Sequence, residues 1–354
     1  MSLYALPKSA IQTWIASLSR QYHVIGPVAF RDTFIFDTLD DPTRLAFDYT
    51  KTILPPKKYL LPVNETLFQF KIDDGSQITT IGDHPPTVLF GIHTCDLHAV
   101  HLVDRFFEQG FQDQPYLRRR AATTIVSIEC LQPCSQHSFC KSMGTYSVPD
   151  AFDLHLTDIG EHFVCEIGSD AGAEIFDHCA ASNPIGQHEH RAYNQTLGEK
   201  WSRFPHKLEP DLTNLPSLMA LSYENELWQE LGERCLSCGT CNLVCPTCYC
   251  FNVIDEVDLD LKTGERYRTW DSCQLDGFAS VAGGHNFRSK RASRLRHRMM
   301  RKGKFQYEAL GLVGCVGCGR CVQSCLANIS PLDVFNELHR RQLSPASCNR
   351  EVSQ

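Results

Sequence analysis

The chain has 354 residues, of which 42% are apolar, 21% charged and 10% aromatic, a balance that excludes wholesale disorder and fibrous repeats. A formal net charge of -7 argues against a general nucleic-acid binder, and the length suits about two or three domains. The 18 cysteines are too dilute for a disulfide scaffold, and so long a chain needs no staples in place of a core.

Met1–Val28 lacks the basic-then-apolar pattern of a secretory leader, and no later stretch offers about 18 uncharged apolar residues. A cytoplasmic protein without a membrane span is expected, its thiols available to metal. In chain order, residues 10–18 predict a short amphipathic helix, residues 23–38 strands, and residues 60–72 a strand pair. TVLFGI (87–92) is a continuous apolar run of the kind buried on both faces of a parallel sheet, and helical spacing follows over residues 97–109. A second such run, TTIVSI (123–128), also ends near a cysteine. Residues 153–168 predict a hairpin turning at 158–161, and residues 182–215 lack clear periodicity. Residues 216–234, 289–301 and 331–341 predict helices. The expected fold is α+β: an α/β domain with a partly parallel sheet over residues 1–215, then a helical ferredoxin-type dicluster domain over 216–354.

Cys235, Cys238, Cys241 and Cys245, followed by Pro246, have the spacing of a bacterial ferredoxin 4Fe-4S motif. Cys315, Cys318, Cys321 and Cys325 repeat it, with Leu326 where the proline would stand. Three cysteines on a tight loop can each reach one corner of an iron-sulfur cube, and in two-cluster ferredoxins the fourth ligates the other cluster. The expected sets are therefore Cys235, Cys238, Cys241 and Cys325 for one cluster, and Cys315, Cys318, Cys321 and Cys245 for the other. Structural zinc, the competing reading, usually shows two separated pairs of ligands. Cys130, Cys134 and Cys140, with Cys95 at the end of the preceding buried run, make a third metal site plausible, although the spacing alone is equally compatible with buried free thiols.

GIHTCDLHAV (91–100), FCKSMGT (139–145), CLSCGTCNLVCPTCYCF (235–251), RTWDSC (268–273), FASVAGGHNFR (278–288) and CVGCGRC (315–321) together resemble the beta subunit of sulfhydrogenases and related cytosolic nickel-iron hydrogenases. They are also similar to the A subunit of anaerobic sulfite reductase. The resemblance implies an iron-sulfur relay subunit that performs no bond chemistry itself. It implies a third 4Fe-4S cluster on Cys95, Cys130, Cys134 and Cys140, although this chain departs from the cysteine pattern of its relatives around Cys134. The implied partners are a flavoprotein binding FAD and NAD(P)H, and a nickel-iron hydrogenase or sirohaem reductase subunit. Two readings of other classes compete: a zinc-structured interaction protein, and an enzyme acting on sulfur compounds through Cys248 or Cys273.

Cys248, Cys250 and Cys273 have no evident fourth partner, and burial beside the clusters is the expected role. Gly283 and Gly284 suggest a tight turn and not a phosphate loop. Arg288, Lys290, Arg291, Arg294, Arg296, Arg298, Arg301, Lys302 and Lys304 form a basic run that invites a nucleic-acid reading but is usually a solvated face; it can equally supply cations that offset the negative charge of the clusters, or dock an acidic partner.

Overall fold

The computed structural model describes residues 3–72, 76–80 and 84–344. Its strands are β1 (Leu3–Pro7), β2 (His23–Phe30), β3 (Thr33–Thr38), β4 (Asn64–Lys71), β5 (Gln77–Thr80), β6 (Thr87–His93), β7 (Thr123–Ile128), β8 (Leu154–Asp158), β9 (His162–Ile167), β10 (Asn183–Pro184), β11 (Phe251–Val257) and β12 (Thr263–Trp270). An eight-stranded sheet runs in the order β10-β1-β9-β8-β7-β6-β2-β3, and a four-stranded antiparallel sheet in the order β11-β12-β4-β5. In the large sheet β2, β6, β7 and β8 are parallel, so the fold is mixed α and β with a partly parallel sheet.

The two apolar runs are its centre. Val88 and Phe90 of β6 pack on one face with Trp14, Leu154 and Phe163, while Leu89 and Ile92 pack on the other with Leu97, Val100 and Ile125. Burial on both faces explains why neither run alternates with polar residues. Both strands point their C-terminal ends at the same place. The helix Thr94–Glu108 starts directly after β6 and carries Cys95 and Asp96 in its first turn, and Cys130 stands two residues beyond β7.

A third core joins the helices Leu215–Leu221, Leu227–Arg234, Arg291–Met300 and Pro331–Leu343 through Leu218, Met219, Trp228, Leu295, Met299 and Phe335. The small sheet takes β4 and β5 from before the cysteine runs and the hairpin β11–β12 from the insert between them.

Several sequence expectations change. Residues 60–72 hold one strand and not two, because Leu60 and Leu61 are buried in a turn that closes the preceding segment. The expected helix over 216–234 is two helices, broken at residues 222–226, where the Asn225 side chain accepts from the Leu227 N–H at 2.9 Å and the Trp228 indole donates to the Ser222 carbonyl at 2.8 Å. Residues 187–203 form an unexpected 17-residue helix, Gln187–Arg203, in which Lys200 is the buried position. The insert between the runs contains the β11–β12 hairpin as well as helix.

Candidate iron-sulfur sites

The two ferredoxin-like runs share one backbone design. Gly239 follows Cys238 at φ +78° and Gly319 follows Cys318 at φ +75°, each starting a single short helical turn, Thr240–Leu243 and Arg320–Gln323. This left-handed conformation favours glycine. Each turn carries the third cysteine, Cys241 or Cys321, and releases the chain just before the fourth.

The fourth cysteine of the second run lies with the first run. One cavity is lined by Cys235, Cys238, Cys241 and Cys325 together with Leu236, Thr240, Gln274 and Ala327. Cys325 comes from the second run, and Cys238 is the exposed member of the set. Cys245, from the first run, is buried and close enough for its charge to act on Cys315 and Cys318. Thr247 joins these parts: its hydroxyl donates to the Gly314 carbonyl at 2.8 Å and lies 3.3 Å from the Cys245 sulfur. Leu326 is 85% exposed, so the missing proline disturbs no packing.

Cys95, Cys130 and Cys140 pack in one buried cluster with Val316 and the neighbouring Cys318. Cys134 is within hydrogen-bonding reach of Cys130, and its sulfur lies 3.7 Å from His93 Nδ1. Thr94 reaches the Cys130 sulfur at 3.8 Å. His93 stacks on Tyr49 with ring centroids 4.1 Å apart, while His98 bonds the Ser147 carbonyl.

The third group is bolted to the second run. The Phe139 N–H donates to the Gly317 carbonyl at 2.8 Å, and the Thr145 hydroxyl to the Val316 carbonyl at 2.7 Å. A Cβ on Gly317 would stand 2.7 Å from the Cys140 nitrogen and the Phe139 carbonyl. Beside this contact Arg320 forms a bidentate ion pair with Asp96, both N–O distances 2.6 Å, with both side chains buried. The three groups therefore form a series, with the Cys315 group in the middle.

The basic run divides: Lys290 and Arg291 are exposed, whereas three of its cations face inward. Arg294, Arg298 and Lys302 are buried, so an acidic partner cannot reach them, and the half-buried Arg301 is hydrogen-bonded to the Tyr249 hydroxyl. Arg298 donates to Asn242 Oδ1 at 2.9 Å and to the Cys241 carbonyl at 3.3 Å, while Lys302 donates to Thr247 Oγ1 at 2.6 Å. Among the described residues neither Arg298 nor Lys302 has a carboxylate partner. Isolated buried cations are costly unless a negative group compensates them.

The donors fit 4Fe-4S clusters. A 4Fe-4S2+ core with four thiolates carries a net charge of about -2, which is what Arg298 and Lys302 lack. Among the described residues no group of three or more His, Cys, Asp or Glu is drawn in tightly enough for a single metal ion, whereas a cube separates its ligands to four corners. Burial pushes the thiols of Cys140, Cys241 and Cys315 up to about 12 and that of Cys318 up to about 11. Thiols so reluctant to ionise become good ligands once a metal supplies the positive charge.

Comparison with known proteins agrees. The 4Fe-4S dicluster domain family matches residues 234–329. The sulfhydrogenase 2 subunit beta of Pyrococcus furiosus is 34% identical over 316 residues, which cover 89% of this chain and 92% of that protein. The chain belongs to the sulfhydrogenase beta-subunit family. It is an iron-sulfur protein of the electron-transport type. No solved structure matches the chain. Among the described residues no helix is long and apolar enough to cross a membrane.

Sequence reasoning missed Thr247, and it named Arg298 and Lys302 only within the basic run, without separating them from its other cations. Only the absence of acids among the cations of residues 288–304 signalled them.

Proposed function

We propose that this chain is the electron-relay subunit of a hydrogenase or sulfur-reductase complex, holding three 4Fe-4S clusters in series. The first is held by Cys235, Cys238, Cys241 and Cys325, the second by Cys315, Cys318, Cys321 and Cys245, and the third by Cys95, Cys130, Cys134 and Cys140. Each cluster, when bound, accepts and returns one electron. The observation that carries this reading is the pair of buried cations, Arg298 and Lys302, that have no carboxylate partner among the described residues and are set against the cysteines of the first two groups.

The protein's own part is to hold thiolates, exclude water and set local charge. Arg298 bridges Asn242 and the Cys241 carbonyl, favouring added electrons on that side. Asp96 and Arg320 lock the second and third groups together without adding net charge. The exposure of Cys238 supports the first group as the end of the series nearer a partner. At the other end a cavity of about 350 Å³ opens beside Cys130, Cys134 and His93. The partners in this reading are a flavoprotein that exchanges electrons with NAD(P)H through FAD, and a nickel-iron subunit. The division at residue 215 leaves the small sheet shared between the two units.

Iron and acid-labile sulfide assays on anaerobically purified chain test the proposal. About 12 iron atoms per chain are expected, with signals of one-electron-reduced 4Fe-4S centres after dithionite. Zinc in place of iron refutes it, and about eight irons with unchanged spectra in a Cys130→Ser, Cys140→Ser double variant removes the third cluster.

A further inference from the structure

Cys250 and Cys273 lie outside all three groups. Cys250 stands just before β11 and Cys273 just after β12, so the hairpin brings them to one end of the small sheet, where the Asp271 N–H bonds the Cys250 carbonyl at 3.0 Å. The two thiols are close enough for each to act on the other. Two amides converge on that sulfur: Asn242 Nδ2 at 3.0 Å and Gln274 Nε2 at 3.8 Å. Asn242 follows Cys241 in the chain, and its other side-chain atom, Oδ1, accepts from Arg298. One side chain therefore joins a cysteine of the first group to Cys273.

Two amide N–H groups donating to one sulfur, with a second thiol close by, favour a thiol–thiolate pair, the reduced form of a dithiol site. These contacts, with the Cys250 thiol foremost, hold the Cys273 thiol down to about 5 and push the Cys250 thiol up. Cys273 is only 3% exposed, so oxidants in bulk water do not reach its sulfur.

We propose that Cys250 and Cys273 are a redox-active dithiol that closes to a disulfide by passing two electrons, one at a time, to the iron-sulfur clusters beside it. This rests on the cluster reading above. In closure the S–H bond of Cys250 breaks and its proton leaves to water; the S–S bond forms, and two oxidised clusters each gain one electron. In the reverse direction two reduced clusters and one proton restore the thiol and the thiolate. The pair lets one-electron carriers fill and empty a two-electron store.

The test uses the full-length, iron-loaded chain, poised either oxidised or with dithionite, quenched in acid, alkylated and digested. Mass spectrometry should find Cys250 and Cys273 both alkylated after reduction. After oxidation both should be lost to alkylation and recovered as one cross-linked peptide pair, with iron content unchanged. In Cys250→Ser, Cys273 should stay alkylatable at both poises. Equal labelling of both thiols at every poise in chain with full iron overturns the dithiol proposal and leaves the relay standing. Chain that takes up no iron overturns both.

Discussion

Replacing the buried Arg298 guanidinium by Arg298→Met should act with opposite signs in the two forms of the chain. Without iron it removes an uncompensated buried charge, so the unfolding midpoint in urea should rise. With clusters bound it removes a cation beside Cys241, so the midpoint potential of the first cluster should fall. Losing a unit charge several ångströms away in an effective dielectric near 20 gives a shift on the order of 100 mV, readable in a redox titration followed by electron paramagnetic resonance. A potential that does not move would place the guanidinium's charge outside the clusters' reach. The Asp96–Arg320 pair behaves differently, because both charges are compensated. Asp96→Asn strands a buried guanidinium and should cost about 3–5 kcal/mol in denaturant unfolding, whereas adding Arg320→Met should recover most of the loss. If the double variant is no more stable than the single, the pair is not the cause.

At the scale of elements, the second cysteine loop bears on both neighbouring groups. Gly317→Ala puts a methyl against the backbone of Phe139 and Cys140 at a left-handed position, φ +66°. It should detach the third group and lower iron from about 12 to about eight per chain, leaving the first cluster's signal intact. The crossing makes a second demand. Cys325→Ser should damage the cluster of Cys235, Cys238 and Cys241 and spare that of Cys315, a difference visible in cluster-specific spectra. The crossing is what the ferredoxin spacing leads one to expect, and the cavity Cys325 shares with Cys235, Cys238 and Cys241 supports it, while the double burial of β6 and β7 was legible as unbroken apolar runs. The helix Gln187–Arg203 was not, since it buries only Lys200, whose ammonium bonds Glu129 and the Tyr146 carbonyl at 2.6 Å. A helix anchored by one charged side chain leaves no apolar period to read. The burial of Arg294, Arg298 and Lys302 was equally hidden, because residue type alone marks such a run as surface.

For the whole molecule, the series of three groups has ends of different chemistry, an exposed Cys238 at one and the cavity beside Cys134 at the other. A relay needs a partner at each. The chain carries no flavin or nicotinamide fingerprint, so alone it should take electrons from dithionite yet fail to oxidise NAD(P)H, with turnover appearing only when flavoprotein and catalytic subunits are added. Steady NAD(P)H oxidation by the isolated chain, followed at the nicotinamide absorbance, would refute the relay assignment.

The contact between the Cys140 segment and the Gly317 loop has a meaning for biosynthesis. Cys95, Cys130, Cys134 and Cys140 leave the ribosome long before residues 314–320, which complete their enclosure. Strand β4 likewise waits for β12, nearly two hundred residues later, to cover its other edge. Chains still in synthesis thus expose reactive thiols and an unpaired strand, and iron delivered early would meet a half-built pocket. Iron uptake by the third group is accordingly expected to follow synthesis of residues 314–320 and not to precede it.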